Sequence, residues 1–251
     1  MLNERTMNDL EKFFNNNTDG KMVNKWLHYF DIYDRHFSKY RGKEITMLEI
    51  GVFQGGSLEM WRDYFGPKAK IYGIDINPAC KQLEGPNIEI FIGSQEDRNF
   101  LRDVKSKIPK LDLILDDGGH TMRQQIVSFE ELYNHVKEDG TYMIEDTHTS
   151  YWDNHGGGYK KRGTFIEYTK NFIDDLHGWY SHQKGKFDVT DYTRTMGGLH
   201  FYDSIVVIEK AIKTKPVAKK MGHEQVANYF PKRSFWQKVK ARLPLKKYDY
   251  E

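Results

Sequence analysis

Two short runs, Asp116-Asp117-Gly118-Gly119-His120 and Glu145-Asp146, hold the side chains best suited to chemistry in this chain. Each follows an apolar stretch, Leu111-Asp112-Leu113-Ile114-Leu115 and Thr141-Tyr142-Met143-Ile144, of the kind that forms a strand buried in a parallel sheet. Open α/β sheets bind their ligands at the carboxyl ends of such strands. Side by side, the two ends would gather Asp117, Glu145 and Asp146 around one point. Three carboxylates that close repel one another unless something positive lies between them. A hard oxygen set without cysteine points to Mg2+ or a similar cation.

A second constellation lies earlier. The run Leu48-Glu49-Ile50-Gly51 leads into Gly55-Gly56-Ser57, a turn whose glycines let backbone approach a ligand before a helix begins. The next apolar run ends Gly73-Ile74-Asp75-Ile76-Asn77, placing an acid where it could hold a ribose diol. Dinucleotide-binding folds share this layout but open on G-x-G-x-x-G, and here Glu49 stands where the first glycine would be. A carboxylate there repels a pyrophosphate and suits a ligand with positive charge, such as the amino group of S-adenosylmethionine. A dinucleotide and a purely structural glycine turn stay open as alternatives.

These residues need a scaffold, and the apolar pattern supplies one. Short apolar runs at 46–50, 70–75, 88–92, 111–116 and 141–145 alternate with polar segments of helix length at 57–64, 98–107 and 123–137. That alternation predicts a Rossmann-like α/β fold with a doubly wound, mostly parallel sheet. Residues 1–40 read as helical, with Leu10, Phe13 and Phe14 in one stretch and Trp26, Leu27, Phe30 and Tyr33 at helical spacing in the next. The segment from Thr147 to Tyr159, with its glycine triplet among aromatics, reads as a mobile loop over the site, and residues 164–176 resume a helical pattern. Leu199 to Glu209 reads as strand, tight turn at Asp203-Ser204 and strand, an antiparallel hairpin closing the sheet. The expected organisation is a helical segment at 1–40, a core domain at 41–212 and a basic C-terminal extension at 213–251.

Composition narrows the classes. A length of 251 residues with 38% hydrophobic and 29% charged content suits one soluble α/β domain with additions. No apolar run approaches the roughly 20 residues that cross a bilayer, and the polar start of the chain offers no secretory signal. The single cysteine, Cys80, excludes an intramolecular disulfide and fits a reducing compartment, so a cytoplasmic location is expected. The net charge is +2, yet residues 213–251 hold eleven Lys or Arg against three Asp or Glu, which leaves the preceding part acidic. Within that tail, residues 234–243 form a basic amphipathic helix candidate, for packing on the body or another subunit, or for peripheral contact with a membrane surface.

Taken in order, the Glu49–Ser57 turn, Gly73-Ile74-Asp75, Gly93-Ser94-Gln95, Asp116–His120, Ile144-Glu145-Asp146 and His200-Phe201-Tyr202-Asp203-Ser204-Ile205-Val206 resemble a class I methyltransferase. More narrowly they are similar to the metal-dependent sugar O-methyltransferases of macrolide biosynthesis, the mycinamicin type, and to cephalosporin hydroxylase-like proteins. The resemblance spans about residues 18–210 of the chain. It implies that Asp117, Glu145 and Asp146 hold Mg2+ and that His120 acts as general base. It also implies that Glu49, Gly51, Asp75 and Gln95, with Ser57 and Asn77 beside them, line S-adenosylmethionine. Asp116 either meets the donor or caps the following helix. A homo-oligomer is a further expectation from the resemblance.

The implied reaction is O-methylation of a sugar hydroxyl on a glycan or glycosylated natural product. A neutral histidine with a pKa of about 6.5 can take the proton of a hydroxyl acidified by a cation. His148 and His155 lie close enough in sequence to compete for that role. Tyr151, Trp152 and Tyr159 are candidates to stack on a sugar face. Methylation of a phenol or catechol, and a cofactor-binding protein without turnover, are the alternatives. A nucleic-acid substrate is disfavoured, because Asp-Asp-Gly-Gly-His stands where amino-methylating enzymes carry an Asn-Pro-Pro-Tyr-like segment.

Overall fold

The computed structural model describes residues 6–227, 232 and 234–236. The chain divides into two units, Met1–Lys215 and Pro216–Glu251. In the second, residues 216–227 run without helix or strand, and most of the amphipathic helix expected at 234–243 lies outside the described residues.

The first unit is built on a seven-stranded sheet of order β3-β2-β1-β4-β5-β7-β6. The strands are β1 (Thr46–Ile50), β2 (Lys70–Asp75), β3 (Ile88–Ile92), β4 (Leu111–Asp116), β5 (Val136–Ile144), β6 (Met196–Tyr202) and β7 (Ile205–Lys210). Neighbours among β1 to β5 pair in parallel, while β7 runs antiparallel to both β5 and β6. The expected mostly parallel sheet with a C-terminal hairpin is therefore present, its turn at Asp203 and Ser204. Strand order reverses between β1 and β4, so a crevice opens where those two strands end.

The central strands are apolar on both sides because helices cover both faces. One face packs Met47, Leu113, Leu115 and Val207 against α1 (Asp9–Asn16), α2 (Tyr29–Phe37) and α3 (Gly56–Phe65), with Tyr33, Phe37 and Trp61 at its centre. The other packs Leu48, Ile114 and Tyr142 against α4 (Arg98–Lys107), α5 (Met122–Leu132) and α6 (Phe165–His177), with Phe129 and Phe172 buried there. A short α7 (Asp191–Thr195) leads into β6.

Two boundaries differ from the sequence reading. The helix expected at 123–137 ends at Leu132, and β5 begins at Val136 rather than 141. The buried ammonium of Lys210 donates to the carbonyls of Tyr133 (3.3 Å) and Val136 (2.9 Å), which turns the chain out of the helix and into the sheet. Trp26 and Leu27 do not share the helical face of Phe30 and Tyr33: α2 starts at Tyr29, and both side chains are exposed. No helix among the described residues is long and apolar enough to cross a membrane.

Candidate active site

A cavity of about 780 Å³ opens at the carboxyl ends of β1, β2 and β4, reaching the loop after β5. Much of its wall is bare backbone at Gly51, Gly93, Gly118 and Gly119. Gly51 has φ +92°, and a Cβ there would lie 2.0 Å from the carbonyl oxygen of Asp117, so this position tolerates no side chain and holds the two strand ends in contact. Three of the non-glycine residues in the left-handed region, Phe53, His120 and Asp146, line the same cavity. Such conformations cost about 1–3 kcal/mol each and concentrate at functional sites.

Of the residues expected to meet the methyl donor, Gly51, Asp75, Asn77 and Gln95 line the cavity. Asp75 Oδ2 accepts from the backbone amides of Val52 and Phe53 (2.9 Å each), and its Oδ1 accepts from that of Asn77 (2.8 Å), so this one carboxylate orders the glycine turn. Gln95 donates to Asp116 Oδ1 (3.0 Å) and accepts from the Gly119 amide (2.8 Å). Glu49, Ser57 and Asp116 are placed differently from the expectation: all three are buried and stand behind the wall. Glu49 accepts from Ser57 Oγ and Trp61 Nε1 (3.0 Å each), and burial pushes its pKa up to about 7. Burial likewise pushes Asp116 to about 7. Two exposed apolar side chains on the cavity wall, Phe53 and Ile76, escaped the sequence reading although they adjoin the glycine turn and Asp75.

At the other end Asp117, Glu145 and Asp146 come together as expected, and three residues of the N-terminal segment meet them. Lys25 donates to Asp117 and to both Glu145 oxygens (3.1 and 3.0 Å); its side chain is 2% exposed. Tyr33 donates to Glu145 Oε1 and Tyr29 to Asp146 Oδ1, each at 2.6 Å. Burial works against the charge on Lys25, but the carboxylates of Asp117, Glu145 and Glu49 outweigh it and raise the lysine's pKa. Burial, and then the charge of Asp117, push Glu145 well above the usual carboxylate range.

These contacts use up Glu145 and one oxygen each of Asp117 and Asp146. The remaining oxygens turn to His120 Nε2, which lies 3.7 Å from Asp117 Oδ1 and 3.4 Å from Asp146 Oδ2. One ligand atom each from Asp117, His120 and Asp146 falls within 4.8 Å of the others. A cluster of carboxylates that already gathers an internal cation fits a hard divalent ion. Burial lowers the pKa of His120, against the pull of Asp117 and Asp146, so the ring is neutral at neutral pH.

The competing histidines lie off the cavity wall, with His148 Nδ1 4.0 Å from Asp146 Oδ1. His148 Nδ1 bonds Ser204 Oγ, His155 Nδ1 bonds Asn154 (2.9 Å), and neither lines the cavity. Tyr151, Trp152 and Tyr159 do not line it either: they are solvent-exposed on the turns after β5, and the Trp152 ring packs on His148 (4.5 Å). Trp26, 56% exposed on the cavity wall, holds the position expected of them. The sequence sets it at helical spacing with Phe30 and Tyr33, whereas it lies in the loop before α2.

Comparison with known proteins follows the same lines. No family model matches the chain. The chain is 34% identical over 198 residues to 8-demethyl-8-alpha-L-rhamnosyl tetracenomycin-C 2'-O-methyltransferase of Streptomyces olivaceus, covering 74% of this chain and 51% of that protein. It is 34% identical over 200 residues to mycinamicin VI 2''-O-methyltransferase of Micromonospora griseorubida, covering 74% and 49%. The chain thus spans about half the length of the curated relatives it matches. Among solved structures, MycE methyltransferase in complex with Mg and SAH superposes with a TM-score of 0.74 at 30% identity, covering 82% of this chain and 55% of that one. The same enzyme with Mg, SAH and mycinamycin VI gives 0.73 at 29% identity, covering 93% and 59%.

Proposed function

Because the chain belongs to the class I methyltransferases and is a relative of sugar O-methyltransferases of macrolide and tetracenomycin pathways, we propose that it is an S-adenosylmethionine- and Mg2+-dependent O-methyltransferase. Its acceptor is a sugar hydroxyl of a glycan or glycosylated natural product. One observation carries this reading: a single cavity joins a backbone-walled half, ordered by Asp75, to a half where carboxylates and a neutral histidine converge. When bound, the donor supplies a methyl group on a sulfonium, and the cation supplies positive charge that acidifies a hydroxyl.

The chain's own residues divide the remaining work. Gly51, Asp75, Asn77 and Gln95 would receive the donor, and Phe53 and Ile76 would offer it apolar surface. Asp117 and Asp146 would hold the cation through the oxygens that face His120, with Glu145 as the third carboxylate of the set. The hydroxyls of Tyr29 and Tyr33 fix the orientation of Asp146 and Glu145. His120 Nε2 takes the proton of the acceptor hydroxyl, a role for which its low pKa keeps it ready. Trp26 and Leu27 offer apolar surface to a sugar face at the open rim. Holding donor and acceptor in line contributes on the order of 7–11 kcal/mol at best.

The test is transfer of labelled methyl from S-adenosylmethionine to a panel of rhamnosides, glycosylated macrolides and catechols, with Mg2+ and with EDTA. Transfer to a sugar acceptor that EDTA abolishes is expected. The reading fails if catechols are taken in preference, or if Asp117→Ala and His120→Ala each keep full activity on an acceptor the wild type methylates.

A further inference from the structure

We propose that His36, His200 and Glu209 form a second metal site, remote in chemistry from the carboxylate cluster, which takes a first-row transition dication of the Zn2+ type. Three elements converge to build it. His36 comes from α2, His200 from β6 and Glu209 from β7, and one ligand atom of each lies within 4.8 Å of the others. The carboxylate is forked by the two rings: Glu209 Oε1 is 3.1 Å from His36 Nδ1, and Oε2 is 3.2 Å from His200 Nε2. Bonds of about 2.0–2.2 Å in a tetrahedron put neighbouring ligand atoms about 3.3–3.6 Å apart, so an ion would draw the three atoms in from within 4.8 Å of one another.

Three further features suit a metal. The second nitrogen of His36, Nε2, is 2.9 Å from the Tyr202 hydroxyl, an outer partner that can accept from Nε2–H and so leave Nδ1 unprotonated toward the site. Gly198 stands opposite Glu209 in the β6–β7 register, and a Cβ there would lie 3.2 Å from His200 Nε2 and 3.4 Å from Glu209 Oε2. The missing side chain leaves room between ring and carboxylate. His36 is 4% exposed, whereas His200 and Glu209 are 38% and 36% exposed, so protein closes one side and water reaches the other for a fourth ligand.

Ligand chemistry separates the two sites. Two imidazoles and one carboxylate favour Zn2+, Co2+, Ni2+ or Cu2+, while the Asp117 cluster is dominated by hard oxygens that suit Mg2+. An ion at the second site would clamp α2 to the β6–β7 hairpin. The same helix carries Tyr29 and Tyr33 to Asp146 and Glu145, so the clamp fixes the far end of the element that completes the cavity.

The experiment uses the full chain, stripped with EDTA and returned to excess Mg2+ so that the carboxylate cluster is saturated. Zn2+ is titrated calorimetrically, and Co2+ by its visible absorption. One equivalent of Zn2+ is expected, with a tetrahedral Co2+ spectrum. Tyr202→Phe should weaken Zn2+ binding about 10-fold, and His200→Ala and Glu209→Gln by more than about 100-fold. Asp117→Asn should leave it unchanged. His200→Ala removes an exposed ring and is expected to fold, which thermal unfolding checks. Absence of stoichiometric Zn2+ binding by the wild type overturns the proposal. So does binding that survives in folded His200→Ala and Glu209→Gln, or that is lost in Asp117→Asn.

Discussion

Replacing Lys25 by methionine tests whether the carboxylate cluster is built around a positive charge. The Lys25 ammonium is buried against Asp117 and Glu145, whose side chains are 21% and 1% exposed. Removing one partner of a buried ion pair costs about 3–5 kcal/mol, because the other charge stays buried and uncompensated. Glu145 softens this loss by taking up a proton, since burial already pushes its pKa up and Lys25 is a main force holding it down. The lower end, about 3 kcal/mol, is therefore expected, which for a chain of this size is about 6–12 °C in Tm. Mg2+ should reverse much of the loss: a cation at 100 times its Kd stabilises by about 2.7 kcal/mol, and in the variant no ammonium has to move aside. Urea and thermal unfolding of both proteins, in EDTA and in saturating Mg2+, measure each term. The reasoning is refuted if Lys25→Met matches the wild type in EDTA, or if Mg2+ stabilises the two proteins equally.

Four other outcomes follow from the structure. His120→Ala should lower methyl transfer by about 10²–10⁴-fold while Mg2+ affinity, measured by calorimetry, changes little; a large fall in Mg2+ affinity would make the ring a ligand instead of a base. Since burial lowers the His120 pKa, the base form persists below the ordinary imidazole value of 6.5, and the acid limb of the rate profile should fall there, not above it. Thr149 donates one hydroxyl to the carbonyls of His120 (2.8 Å) and Asp146 (2.9 Å), both left-handed residues, so Thr149→Val should cost about 1–3 kcal/mol and lower kcat while sparing donor affinity. Glu131 is held at about 2 by Arg102, with Arg98 and Lys105 beside it, so its contribution is present above its ordinary value of 4.5 and is lost as pH falls from there toward 2. Glu131→Gln should cost about 1–2 kcal/mol in neutral urea unfolding, and the difference should shrink through that window.

The parts of the site carried by the sheet were legible in the sequence because the sheet has a strong pattern. Strands buried on both faces read as continuous apolar runs, and their ends fall where polarity returns, so Asp75, Asp117, Glu145 and Asp146 could be assigned to one crevice before any coordinates. Lys25 could not. It lies in irregular chain after a polar loop, its burial depends on tertiary contacts, and a single lysine there reads as solvated. The loop is held by backbone: a Cβ at Gly56 would come within 2.4 Å of the carbonyl oxygens of Lys21 and Met22, so this segment lies directly over the start of α3. Tyr33 is visible as an apolar position and Tyr29 is not singled out by the pattern, and nothing local says that a ring in the core also points its hydroxyl at a carboxylate. Glu49 misled for the opposite reason. Its place in the glycine turn suggested a ligand, whereas Ser57 and Trp61, eight and twelve residues on, satisfy it inside the core.

Lys25, Tyr29 and Tyr33 recur every fourth residue, and together they supply the donors that the sheet lacks. The sheet alone would bring three carboxylates to one place with no partner, an arrangement that neither burial nor mutual repulsion permits. The N-terminal segment is thus part of the site and not an addition to the domain. One ammonium against three carboxylates still leaves an excess of negative charge. Burial and the charge of Asp117 accordingly push the pKa of Glu145, the most buried of the three, upward. A dication would relieve the excess, and the free oxygens on offer are those of Asp117 and Asp146 that face His120. In the proposed reaction the cation and the base would therefore share the same two carboxylates. A hydroxyl drawn to that charge would arrive beside the nitrogen that can take its proton.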